Sequence, residues 1–151
     1  MMHQLRTAWS DYIRPMLRRP ERVQIAALCH RGDGPAREVL LVTSRDTGRW
    51  ILPKGWPIRG QDAAGTALQE AWEEAGVRRG RAAEAIGSYC YDKGLDGDWA
   101  VAVRTYVIPV AVEEMSDTYP EARERRREWV RPSEAAARVA EPELRAILAT
   151  F

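Results

Sequence analysis

Glu70, Glu73 and Glu74 stand at i, i+3 and i+4 in an alanine-rich segment, which puts three carboxylates on one side of a single helical turn. Like charges this close repel one another. Two of them also lie near the C-terminal end of the expected helix, where the macrodipole disfavours anions. A hard divalent cation relieves both costs, because Mg²⁺ takes carboxylate oxygens and keeps water and phosphate oxygens as its other ligands. Carboxylates on one side with open positions on the other suit metal-assisted phosphoryl chemistry. The metal neutralises phosphate charge and activates water, and a spare carboxylate takes the proton. The same three residues also suit a solvated surface helix with no chemistry.

The elements around this turn have their own signals. Asp62 is a good N-cap, Ala63 to Ala75 is rich in helix formers, and Gly76 follows as a C-terminal stop. Leu68, Ala71 and Ala75 share a face that can pack on a sheet. Upstream, Val23 to Cys29 and Glu38 to Thr43 read as strands of a hairpin about the Gly32-Asp33-Gly34-Pro35 turn, with Trp50-Ile51-Leu52 a short third strand. Lys54 to Gln61 reads as a loop. Downstream, Ile86 to Tyr91 and Val101 to Val112 read as strands joined by a turn at Asp92 to Asp98. Pro109 predicts an edge or a bulge in the second of them. Trp129-Val130 is a further short strand, and Pro132 and Pro142 open two closing helices, through about Ala140 and Ala149. Strands interspersed with a few helices predict one α/β domain with a mixed sheet between helices.

The chain has 151 residues, enough for one domain with an ordinary core. Residues 22–151 read as that domain, and residues 1–21 as an arm or short helix. Hydrophobic residues at 45% exclude a disordered chain. No apolar run is long enough to span a bilayer and no signal-peptide core is visible, so the expected location is cytoplasmic. Two cysteines and two histidines make a disulfide framework or structural zinc site improbable. A net charge of +1 argues against a general nucleic-acid coat. Basic flanks at Met1–Arg22 and Glu121–Arg131 surround a middle where acids outnumber bases eight to four, an arrangement that can hold a polyanion against an acidic metal site. Nearly all the cations are arginine; only Lys54 and Lys93 are lysine.

Gly55, five residues, Gln61, seven residues, then Gln69-Glu70-Ala71-Trp72-Glu73-Glu74-Ala75-Gly76-Val77 resembles the box that defines the Nudix hydrolase family, with matching spacing from 55 to 77. Leu40 to Pro57 and Arg125 to Ala136 resemble the diphosphoinositol polyphosphate phosphohydrolase-type branch. The resemblance implies a Nudix-like α/β/α sandwich with a mixed central sheet. It implies metal ligation by Glu70, Glu74 and the backbone at Lys54, with Glu73 as third carboxylate or general base. Arg22, Arg45 and Arg125 fall where the branch places substrate-phosphate groups, and Gly55 is the box glycine beside the substrate. Glu113, Glu114, Glu121 and Glu124 are candidates for an extra carboxylate. Trp56 either stacks on a base or packs in its loop.

Two departures stand out. Gln61 replaces a family glutamate and removes one negative charge from the outer metal site. Gln69 replaces an arginine and loses its charge and fork. Losses of this kind typically cost about 10- to 100-fold in metal affinity or activity. The implied function is Mg²⁺-dependent hydrolysis, with Mn²⁺ as a substitute, of the diphosphate linkage in a small phosphorylated substrate. Nucleoside diphosphate derivatives, dinucleoside polyphosphates and diphosphoinositol polyphosphates all qualify. The rivals are a catalytically weak domain that senses a nucleotide or polyphosphate, and an RNA 5′-end pyrophosphohydrolase held by the arginine-rich ends. Nothing in the pattern fixes an oligomeric state.

Overall fold

The structure, a computed structural model, describes residues 22–94 and 100–151. The expected arm at 1–21 and most of the turn at 92–98 lie outside the described residues. The described strands form one mixed sheet: β1 (Arg22–Arg31), β2 (Glu38–Thr43), β3 (Trp50–Ile51), β4 (Lys54–Gly55), β5 (Val77–Ala82), β6 (Gly87–Gly94), β7 (Ala100–Met115) and β8 (Arg127–Val130). The order β3-β2-β1-β7-β5 is extended by β4 on β1, β6 on β7 and β8 on β2. β1 and β7 run parallel from Arg22↔Val103 to His30↔Ala111; the other pairs are antiparallel.

The unbroken apolar stretch of β1 has a direct cause: both faces of the strand are covered. Period-two alternation sends Ala27 and Cys29 to one face with Leu40 and Val42, where α1 (Ala63–Ala75) packs Ala67, Ala71 and Ala75. Ala26 and Leu28 point to the opposite face with Val39 and Leu41. There α2 (Pro132–Arg138) and α3 (Pro142–Ala149) contribute Ala135, Leu144 and Leu148. This is the expected helix–sheet–helix sandwich. The Asp62 carboxylate accepts from the Gly65 N–H at 2.8 Å, as an N-cap should.

Three local expectations are corrected. Val77–Ala82, left without a strand, forms β5; its exposed arginines hide a β pattern because the strand lies at the edge and pairs them with Glu113 and Glu114 of β7. Lys54–Gly55, expected as loop, forms the two-residue β4 against Ile25 and Ala26. Pro109 lies inside the sheet, with β1 along one side of its strand. On the other side β6 pairing ends at Val107 and β5 pairing begins at Val110. The proline therefore sits at the junction between two partner strands, where a ladder donor is least needed.

Gly76 ends α1 with φ +74°, and its N–H donates to the Trp72 carbonyl at 3.0 Å. A Cβ here would approach Arg127 Nη1 to 2.5 Å and the Ser116 carbonyl oxygen to 2.6 Å. Arg127 in turn donates to the Ala75 and Ser116 carbonyls at 2.9 and 2.8 Å, which ties the helix end to the segment after β7. Gly76→Ala is expected to lose about 1–2 kcal/mol from the left-handed backbone alone, with the collisions adding to it. Chemical denaturation checks this; a loss of a few tenths of a kcal/mol would contradict the crowding.

Candidate functional site

The inner side of α1 faces a cleft of about 330 Å³ bordered by Gly55, Glu70, Glu73, Glu74, Glu121 and Arg125. β4 forms one wall. Gly55 passes so close to the helix that a Cβ would meet Glu70 Oε1 at 2.3 Å, so any larger residue here would displace the Glu70 carboxylate. The neighbouring Lys54 backbone N–H donates to Glu74 Oε2 at 2.9 Å. Glu74 is 6% exposed. Its other oxygen, Oε1, accepts from Arg125 Nη2 at 3.0 Å.

Arg125 is itself 6% exposed in its side chain. Its Nη1 donates to the Thr43 carbonyl at 3.0 Å and its Nε to Glu121 Oε1 at 3.2 Å. One guanidinium thus joins α1, the end of β2 and the segment before β8. Glu73 Oε1 accepts from Gln69 Nε2 at 2.8 Å. The Glu73 carbonyl also accepts the Glu121 N–H at 2.9 Å, which brings that fourth acid beside the helix. Glu70 has no hydrogen-bond donor among the described residues.

Glu70, Glu73, Glu74, Lys54, Gly55, Arg45 and Arg125 all border this one cleft. Arg45 lies 58% exposed at its rim, 3.5 Å from Glu121 and 3.6 Å from Glu124. Arg22 does not border the cleft; it is exposed at the start of β1, two residues along the same strand face from Gln24, which does. Of the four candidate extra acids, Glu121 enters. Glu113 and Glu114 pair with β5 arginines at the far edge. Gln61 also points elsewhere: its Oε1 lies where a Cβ on Gly65 would reach, at 2.2 Å, beside a separate cleft on the outer side of α1. Sequence reasoning missed Gln24 and Lys93 as site-lining residues. Only the rarity of lysine in an arginine-rich chain pointed toward Lys93.

Among the described residues no three His, Cys, Asp or Glu side chains converge into a ready-made metal cage. Protein donors already engage Glu74 and one oxygen of Glu73. The donor chemistry nevertheless fits a hard cation. Glu70 offers a half-buried carboxylate with no protein donor, next to two more acids. Burial, then Glu73 and Glu121, push its pKa up to about 7, against the opposing pull of Arg125 and Lys54. Burial likewise raises Glu74 to about 7, although Arg125 and the Lys54 N–H pull it down. Burial lowers Lys54 to about 8, against the raising effect of Glu74. Even with Arg125 present, the cluster is short of positive charge.

A family model for the NUDIX domain matches residues 20–151. Diphosphoinositol polyphosphate phosphohydrolase 3-beta of Bos taurus and 3-alpha of Homo sapiens are each 30% identical over 112 residues, covering 73% of this chain. The aligned part spans 64% of the length of those relatives. Among solved structures, C. elegans Ap4A hydrolase superposes with a TM-score of 0.60 at 18% identity, covering 87% of this chain and 96% of that one. The NUDIX domain of Shewanella oneidensis NrtR, complexed with ADP ribose, gives 0.63 at 13% identity, covering 95% and 93%. These structural likenesses show the shared fold. The chain belongs to the Nudix family.

Two outcomes follow from the charges. Arg125→Met leaves Glu74 buried without its cation and is expected to cost about 3 kcal/mol at pH 8, measured by denaturation. In EDTA, stability should fall as pH rises from about 4.5 to 7, because the folded state holds protons on Glu70 and Glu74 that the unfolded chain has released. Lys54 is charged in both states across that window. Mg²⁺ or Mn²⁺ should restore the melting temperature at pH 7.5 and do little at pH 5. A cation effect independent of pH would contradict the assignment.

Proposed function

We propose that the protein is a Mg²⁺-dependent hydrolase of the diphosphate linkage in a small phosphorylated substrate. The observation that carries this reading is the unengaged, half-buried Glu70 carboxylate over Gly55, beside Glu73 and Glu74 in one cleft. Glu70 and Glu74, with the backbone at Lys54, would hold the cation. When bound, Mg²⁺ (or Mn²⁺) offsets phosphate charge and makes a coordinated water more acidic. Among the described residues no donor reaches Glu73 Oε2, while Gln69 fixes Oε1, an orientation suited to taking a proton from the attacking water. Gly55, which borders the same cleft, lets the Glu70 carboxylate lie against the backbone, next to where the substrate would bind. Arg22 and Arg45 lie exposed enough to meet substrate phosphates. Arg125, already bound to Glu74 and Glu121, acts on substrate through the carboxylates it holds.

The substrate class comprises nucleoside diphosphate derivatives, dinucleoside polyphosphates and diphosphoinositol polyphosphates. The curated relatives, which are diphosphoinositol polyphosphate phosphohydrolases, support the last. Trp56, 39% exposed at the cleft, supports a nucleotide whose base stacks on its ring. A second reading, a weakly catalytic domain that binds a polyphosphate as a sensor, is favoured by the protein donors that already occupy Glu74 and Glu73.

A panel of diphosphate compounds, assayed with Mg²⁺ and Mn²⁺ for released phosphate, separates the two. Under the hydrolase reading, Glu73→Gln and Glu74→Gln each lower kcat by about 10²-fold or more, with the far-ultraviolet circular dichroism preserved. Unchanged rates in both variants would remove these roles. Under the sensor reading the wild type binds without turnover, and Gln61→Glu with Gln69→Arg raises turnover sharply.

A further inference from the structure

Three of the four large apolar side chains left exposed among the described residues, Val23, Ile86 and Tyr106, share one face of the sheet. Ile25 of β1 and Ile108 of β7 mark that face, because both belong to the core cluster that holds Ala67, Ala71 and Ala75 of α1. Val23 and Tyr106 stand one step further along the same side of their strands. Exposure jumps in that step, from 6% at Ile25 to 39% at Val23 and from 3% at Ile108 to 39% at Tyr106. The cover that α1 provides ends there, and α2 and α3 pack on the opposite face.

β6 completes the patch. Ser88 pairs with Tyr106 and Cys90 with Arg104, so alternation turns Ile86, Ser88 and Cys90 the same way. Ile86 keeps to the ladder through its N–H, which donates to the Val107 carbonyl at 3.0 Å. Arg104 donates to Ser88 Oγ at 2.9 Å, and Asp92 opposite Ala102 closes the far end.

The chain enters the sheet at this patch. Arg22 opens β1 and Val23 follows it, so residues 1–21 join directly beside the exposed side chains. Their sequence carries Leu5, Trp9, Tyr12 and Ile13 at i, i+4, i+7 and i+8, the spacing of one helix face, and Pro15 bars its continuation. Three strands are about 10 Å across, and a helix from Leu5 to Ile13 measures about 14 Å. The stretch from Arg14 to Glu21, extended, reaches about 26 Å, enough to return from β1 over β7 to β6.

We propose that residues 1–21 dock on this face and lay Leu5, Trp9, Tyr12 and Ile13 against Val23, Ile86 and Tyr106. Burial of aromatic and aliphatic surface on both sides drives the contact. The tether at Arg22 makes it intramolecular, with an effective concentration that an untethered second copy of the chain lacks. None of Val23, Ile86 and Tyr106 borders the acidic cleft, so this surface is independent of the hydrolase reading.

Hydrogen exchange on the full-length protein tests the docking. Amides 5–13 are expected to exchange at least about 10-fold more slowly than in a free peptide of residues 1–21. Tyr106→Glu and Ile13→Asp should each remove that protection, with the far-ultraviolet circular dichroism and the exchange of α1 unchanged, and Tyr106→Phe should keep it. Free-peptide rates in the wild type would overturn the docking, as would protection that survives Tyr106→Glu. Protection lost on dilution, together with a dimer mass by light scattering, would assign the face to a second copy and overturn it too.

Discussion

A carboxylate buried at the end of a helix cannot stay charged without partners, and Glu74 finds them in two separate parts of the chain. The Lys54 N–H meets one oxygen and Arg125 the other, while Arg125 also reaches the Thr43 carbonyl. Each partner fixes something the site needs. The Lys54 contact holds β4 close to α1, so Gly55 lies under Glu70. The Arg125 contact draws the segment before β8 inward and carries Glu121 to the helix. Burying a charge is costly unless it is both paired and hydrogen-bonded. The folded chain therefore has one narrow arrangement in which this carboxylate is satisfied, and that arrangement assembles the cleft.

What was legible in the sequence was local. Asp62, the alanine-rich run and Gly76 define α1 because capping and propensity act within a few residues. The apolar run of β1 and the alternation in β2 carry the sheet for the same reason. The box spacing placed Glu70, Glu73 and Glu74 on one turn, and the structure keeps them in one cleft. What escaped was set by distant partners. The arginines of β5 hide its strand pattern until Glu113 and Glu114 are placed opposite them. Pro109 reads as an edge marker until β6 and β5 are seen to meet there. No local signal announces that Arg125 is buried, since an arginine among four others reads as a solvated face.

The two glutamines in the box have different consequences once their places are known. Gln69 keeps a hydrogen bond to Glu73 at 2.8 Å. It preserves the orientation of that carboxylate but lends it no charge, so Glu73 is fixed without an adjacent cation. Gln61 packs at Gly65 and borders the outer side of α1, away from the acidic cleft. Its missing charge is therefore less a loss at the cleft than the spacing alone implied. Glu121 supplies a fourth acid from outside the box and lies against the same helix.

Charge balance along the cleft then gives it a direction. At one end, Glu70, Glu73, Glu74 and Glu121 face a single buried guanidinium, and the raised pKa values of Glu70 and Glu74 express that deficit. At the other, the Lys54 and Lys93 ammonium groups rest over the Tyr91 and Trp56 rings, and neither forms an ion pair among the described residues. A bare anion is repelled by the acids of the first end. A ligand that brings a divalent cation along with its phosphates would meet these acids through the cation, so under the proposed hydrolase reading the charge deficit of the cleft favours the metal-bound form of a substrate over the bare anion.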